Sequence, residues 1–267
     1  FKTCFIEGFF IGNLTLKEAE SLWLDIKDSL RQEPFKPKNH YQKKVFVITD
    51  TMGPYMIHKT TPLMGNGVVL AIDQSSFSFQ NRAAQNILSQ TLREAFFTSL
   101  RSKQKTAYIA HAADIEMQRH LYQLFSVQSN SHEVDDLLAR FEIFIENYIE
   151  NLEKQIPEQR FEKIKTSLIE NLENPYKNLQ EMSSRLNYLA FDYEADFLWY
   201  DKRIEAMQNL SYQEFLDFSK ETLSKDNKKR LAILFEGKLD KNFKYKKLDQ
   251  EPKTIGFYKT KDLEEVQ

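Results

Sequence analysis

The chain has 267 residues, 41% of them apolar, with a formal net charge of −2. That length fits one large domain, or one domain with an appendage, and 21 phenylalanines and 12 tyrosines supply a sizeable core. The charge balance excludes the basic stripe of a dedicated nucleic-acid binder, and no run of about 18 apolar residues offers a membrane span.

The chain opens on Phe-Lys-Thr-Cys-Phe without Met or a signal peptide, as a fragment or a processed chain would. Residues 4–11 predict a buried strand. Thr15 then caps a helix and Glu18 closes a capping box, with Leu16, Ala19, Leu22, Trp23, Ile26 and Leu30 as the apolar stripe. Residues 33–39 hold Pro34 and Pro37 and cannot continue that helix, so they read as a linker. Strands are predicted over Val45–Thr49, Tyr55–Lys59 and Gly67–Asp73, with turns at 52–54 and 64–67 between them. A helix over Phe79–Arg101 follows, with Ala83, Ile87, Leu88, Leu92, Phe96 and Leu100 along one side. Two more strands fit Tyr108–Ala113 and Leu121–Gln128. Ser131–Glu153 is the clearest helix, with an unbroken apolar stripe from Val134 to Leu152.

Pro157 suits the first turn of the next helix, which places Phe161, Ile164, Leu168 and Leu172 inside. Helices are expected around 178–190 and 196–208. Ser211 and Glu214 make a second capping box ahead of Phe215, Phe218 and Leu223. Arg230–Phe235 returns as a strand, and the Lys-rich remainder from Gly237 reads as an irregular tail. Strands gather early and helices late, with tight turns between strands. The pattern predicts an α+β fold: a mostly antiparallel sheet with helices packed on one face.

Most familiar chemistries lack their residues. The seven glycines form neither GxGxxG nor GxxxxGK[ST], so nucleotide binding has no local support. The single Cys4 excludes an internal disulfide and a thiolate cluster, has no nearby His, and is compatible with cytoplasm or periplasm. No G-x-S-x-G elbow is present. The five histidines, His40, His58, His111, His120 and His132, begin neither H-x-x-E-H nor H-E-x-x-H. His111 and His120 flank Asp114 and Glu116, but two histidines at the ends of neighbouring strands explain that pattern more simply.

Arg101 and Tyr108 are the candidate site residues. Each has an ordinary explanation: an Arg in the last turn of a helix complements the macrodipole, and a Tyr early in a strand packs well. Each also has a chemical one. Arg offers a fixed fork of donors for peptide carbonyls, and Tyr offers a donor for charge developing on a carbonyl oxygen.

The segment from Glu94 to Tyr108 resembles one in the C-terminal half of the insulinase-like (pitrilysin) zinc metallopeptidases. Glu94, Phe97, Leu100, Arg101, Lys103 and Tyr108 stand where that family has the same residue types. Residues 169–190 are similar to its Leu-x-x-Pro-x-x-Leu helix junction, 207–223 to its Leu-Thr helix, and Arg230–Phe235 to its closing strand. Gln104, Lys105, Thr106 and Ala107 depart from the family's Glu-Gln-Leu-Gly, and Ala107 would be strained wherever a glycine's positive φ is needed.

The resemblance implies a module of the pitrilysin/mitochondrial processing peptidase type over 40–236. Residues 1–33 would be the strand-plus-helix tail of a preceding module, 34–39 a linker and 237–267 a polar tail. It implies that Arg101 and Tyr108 bind substrate beside the scissile bond in a closed chamber. The zinc is then held by the N-terminal half of the full-length enzyme, and this chain carries no cofactor and is inactive alone. The implied partners are a peptide substrate and that N-terminal half, with no nucleic acid and no membrane. The apolar residues of 1–33 are expected to dock on the main module, to pair with another copy as a truncation-induced homodimer, or to be poorly ordered. A non-catalytic structural or partner subunit of the same fold is the alternative.

Overall fold

The computed structural model describes residues 3–30, 33–36, 44–49 and 53–239. In chain order these form β1 (Thr3–Cys4), α1 (Leu16–Leu30), β2 (Glu33–Pro34), β3 (Tyr55–Met64), β4 (Asn66–Ser76) and α2 (Phe79–Phe97). A wider π-helical turn (Thr98–Lys103) extends α2, followed by β5 (Ile109–Met117) and β6 (His120–Ser129). Then come α3 (Val134–Glu150), α4 (Leu152–Gln155), α5 (Glu158–Glu173), α6 (Leu179–Asp192), α7 (Trp199–Asn209), α8 (Tyr212–Leu223) and β7 (Arg230–Lys238). Most of the polar tail, from residue 240 on, lies outside the described residues, as do linker positions 37–39.

Five strands make one sheet in the order β3-β7-β4-β6-β5, giving the α+β fold expected from the sequence. The β3–β7 pair is parallel and the other three pairs are antiparallel. Alternation along the strands decides what is buried. Val68, Leu70 and Ile72 of β4, Phe125 and Val127 of β6, Ala112 of β5 and Leu234 of β7 point toward the helices and are buried. Residues of opposite parity, including Ile57, Val69, Ile109, His111 and Ile233, are half-buried or exposed, so helices cover one face of the sheet.

Phe96 of α2 anchors the layer between sheet and helices. Its ring centre lies 5.1 Å from Phe125, 5.1 Å from Phe141 and 5.2 Å from Phe144. Full burial of one such side chain contributes about 1.5–3 kcal/mol.

Local chemistry sets the helix boundaries. Ser78 accepts the Asn81 N–H at 3.0 Å and starts α2, and Asn178 accepts the Glu181 N–H at 2.8 Å and starts α6. The Thr15–Glu18 and Ser211–Glu214 capping boxes both form. The helix predicted over Ser131–Glu153 is interrupted at Asn151, where the backbone leaves helical geometry, and Pro157 caps α5 from outside its first turn.

Two predicted strands are corrected. Residues 45–49 belong to no strand among the described residues, and Phe46 is 99% exposed. Apolar alternation alone does not make a strand without a ladder partner for the backbone. Within 4–11 only Cys4 belongs to a strand, and none of these residues is buried. The short parallel pair β1–β2 is too small to cover them. The apolar stripe of α1 has the expected spacing, yet α1 contains no buried residue. Trp23 packs on Gly8, and Phe9 stacks on Phe197, between α6 and α7, at 6.1 Å.

Candidate functional site

The end of α2 and the start of β5 form one wall each of an open groove of about 680 Å³. From α2, Gln90, Arg93, Glu94 and Phe97 line it, and the π-helical turn adds Arg101. Arg93, Phe97 and Arg101 recur every four residues and so share one side of the helix. Tyr108, Ile109, Ala110 and His111 complete the lining.

The structure brings Arg101 and Tyr108 together. The guanidinium carbon of Arg101 lies 4.9 Å from the ring centre of Tyr108 and 4.9 Å from that of Phe97. An Arg held between two rings keeps its donors at the edges, free for other partners, and each such contact is worth about 0.5–1 kcal/mol at an exposed site. Tyr108 is 80% exposed and immediately precedes β5. Its phenol faces the groove beside the Arg101 fork.

The turn that delivers Tyr108 is fixed by Thr106. This residue is buried, and both its N–H (3.0 Å) and its hydroxyl (2.7 Å) donate to the Leu100 carbonyl. Its own carbonyl accepts from the Ser129 hydroxyl. The strain anticipated at Ala107 falls elsewhere: the left-handed residue of this turn is Lys105, with φ of 53°. Ala107 is therefore accommodated without a glycine. Lys103 does not join Arg101. It lies with Thr98, Ser99 and Arg160 on a second groove of about 510 Å³.

The residues between His111 and His120 are used structurally. Asp114 accepts from Arg82 Nη1 and Asn86 Nδ2, both at 3.0 Å. Glu116 accepts the Tyr193 hydroxyl at 2.9 Å. His111 pairs with Ser126 near one end of the β5–β6 ladder and His120 with Met117 at the other. His40 lies outside the described residues. Among the described residues no three His, Cys, Asp or Glu side chains converge, so this donor set does not fit a zinc centre.

Sequence reasoning missed other members of the groove and one polar cluster. Gln90, Arg93 and His111 line the groove, and the four-residue repeat of Arg93, Phe97 and Arg101 was the available signal. At the far end of the hairpin, Gln118 and Arg119 both take positive φ, and the Arg119 guanidinium lies 4.0 Å from the Tyr193 ring and 4.5 Å from Trp199. No short motif marks that cage, because its rings come from the residue after α6, from α7 and from Phe77 before α2.

A family model described as PQQ synthase PqqF-like, C-terminal lobe domain 4, matches residues 87–187, a span that includes the whole groove. A nardilysin-like protein of Arabidopsis thaliana is 25% identical over 255 residues, covering 92% of this chain and 24% of that protein. The chain is similar to insulinase-like peptidases, and the family model it matches is that of a C-terminal lobe domain. The peroxisomal insulin-degrading enzyme-like 1 of the same plant is 24% identical, over 86% of this chain and 24% of its own length.

Among solved structures, pitrilysin superposes with a TM-score of 0.70 at 20% identity, over 90% of this chain and 25% of that one. A peptidase M16 inactive domain from Pseudomonas fluorescens gives 0.62 at 14% identity, over 85% and 52%. These likenesses show the pitrilysin-type fold. The chain spans a quarter or less of the curated insulinase-like relatives it matches.

Proposed function

We propose that this chain is the C-terminal, zinc-free portion of a zinc-dependent endopeptidase that degrades oligopeptides. Arg101 and Tyr108 bind the peptide beside the scissile bond, at a site whose metal belongs to the N-terminal half. The observation that carries this reading is the Arg101 fork set 4.9 Å from the exposed Tyr108 ring over one open groove. Arg101 orients the backbone by donating to a peptide carbonyl. Tyr108 donates its hydroxyl proton to the carbonyl oxygen as charge develops on it, an effect that grows where water is excluded. β5 is an edge strand of the sheet, and an extended peptide added beside it would hold its backbone by main-chain hydrogen bonds. With the zinc supplied by the N-terminal half, the roles read for Arg101 and Tyr108 are binding and charge stabilisation.

The test is kinetic. Tyr108→Phe removes one donor and little volume, and losing an oxyanion donor lowers kcat by about 10²–10³. In the full-length protein this variant is expected to lose mainly kcat on a short internally quenched peptide. Arg101→Ala is expected to lose in both kcat and KM. Thermal unfolding serves as the control for an intact fold. Near wild-type kinetics for both variants would return the pair to helix-end and strand packing.

A second reading, a non-catalytic partner subunit, is favoured by the likeness to a domain described as inactive. An H-x-x-E-H motif elsewhere in the complete gene product would decide for the enzyme.

A further inference from the structure

The groove is more positive than the chain that carries it. Two guanidinium groups, those of Arg93 and Arg101, line it against one carboxylate, Glu94, and Asp114 stands 3.9 Å from Arg93. Both carboxylates are engaged. Glu94 lies 3.5 Å from Arg160. Asp114 is only 15% exposed, and its Oδ2 already takes Arg82 and Asn86 at 3.0 Å each. Arg93 reaches no nearer than 3.9 Å to the remaining Asp114 oxygen, beyond hydrogen-bond distance, and its side chain is 53% exposed. Arg93 lines the groove with half of its side chain exposed, and the groove's other cation, Arg101, holds rings and no carboxylate among the described residues.

We propose that this groove selects peptides bearing a carboxylate a few residues from the cut, and that Arg93 is the residue that reads it. The inference rests on the proposed role of Arg101 and Tyr108. Eight residues separate Arg93 from Arg101, a rise of at most about 12 Å given that the last of them lie in the π-helical turn. An extended peptide advances about 3.3 Å per residue, so the carboxylate sits about four residues from the carbonyl that Arg101 holds. Phe97 stands between the two arginines and receives an apolar side chain from the intervening peptide. The fork of Arg93 matches a carboxylate with two parallel N–H···O bonds. Either an Asp or Glu side chain or a free C-terminus supplies that group.

The experiment compares full-length wild type, Arg93→Gln, Arg93→Glu and Tyr108→Phe on paired peptides. Pairs differ by Glu against Gln at one position, two to five residues from the cut. A further pair, ending four residues from the cut, differs by a free against an amidated C-terminus. Both kcat/KM and equilibrium binding of the labelled peptides are read, so the comparison does not depend on turnover. A half-exposed ion pair is worth up to about 1 kcal/mol, so wild type is expected to favour the carboxylate by about fivefold near position four. The preference is carried by KM or Kd and shrinks with added salt. Arg93→Gln abolishes it and Arg93→Glu reverses it, while Tyr108→Phe lowers kcat on both members of a pair and preserves their ratio. A ratio near one at every position in wild type, or a ratio untouched by Arg93→Gln, overturns carboxylate selection alone. Unchanged kcat in Tyr108→Phe instead overturns the reading beneath it, and this inference falls with that reading.

Discussion

Arg230 opens β7, and replacing it with Met tests how the last strand is locked to the helices. The residue is 5% exposed. Its Nη1 donates to Glu142 of α3, and its Nη2 to the carbonyls of Leu223 and Ser224 (2.7 Å) at the end of α8. Its Nε donates to Asn227 O at 3.1 Å. Met keeps most of the stem and removes every donor. Three carbonyls then lose their charged partner, at about 1 kcal/mol or more each for a buried acceptor left unmade. The cation also complements the negative end of the α8 dipole. Glu142 is 38% exposed and recovers its hydration, so its loss adds little. Burial of the new thioether offsets part of the total. The expected loss is about 3 kcal/mol, or roughly 6–12 °C in Tm for a module of this size. Urea unfolding and calorimetry measure it, with Glu142→Gln as a control expected to cost under about 1 kcal/mol. A loss below about 1 kcal/mol for Arg230→Met, equal to that control, would refute the assignment of the carbonyl bonds as the source of stability.

Thr106→Val removes one buried hydroxyl donor to Leu100 and should cost about 1 kcal/mol while weakening peptide binding through the Tyr108 turn; unchanged binding affinity would show that the turn does not position Tyr108. Burial holds the Asp73 carboxyl above its usual range, with the Ser75 N–H bond pulling the other way. The folded state then retains a proton that the unfolded state releases, so the stability tied to this group falls as pH rises above the ordinary Asp value of about 3.9. Asp73→Asn should therefore melt higher than wild type at pH 7 and match it near pH 3, and an equal gain at both would contradict the burial argument. A chain beginning at residue 40 is expected to keep a cooperative transition, since α1 buries no residue; a lost transition would move the proposed domain boundary.

The helices were legible because their signals are local. Ser211 and Glu214 lie within one turn of each other, and the stripes of α2 and α3 repeat at the helix period. The sheet was legible strand by strand and not in its pairing. Nothing near Tyr55 announces that it lies beside Leu231, and nothing in Val45–Thr49 announces the missing ladder partner. In the candidate site, the spacing of Arg101 and Tyr108 carried no message except through resemblance to a family. Their approach depends on the π-helical turn and on Thr106 folding back to Leu100, which are tertiary outcomes. The Arg119 cage was hidden for the same reason.

The order of the strands has a kinetic consequence. β3 and β4 are consecutive in the chain, yet β7, the last described strand, lies between them. The connection at Gly65 is shaped for this insertion: its φ is 86°, and a Cβ on Gly237 would stand 2.1 Å from the Gly65 carbonyl oxygen. A nascent chain must therefore hold a gap in its sheet until residues 230–238 have been made. Until then β3 has no partner and β4 has one bare edge, both with apolar residues facing water. Contacts this distant in sequence form slowly and leave edges open to other chains. Synthesis that stalls short of β7 should yield an aggregating species, and a chaperone that shields the β3 and β4 edges should act on this module late in translation.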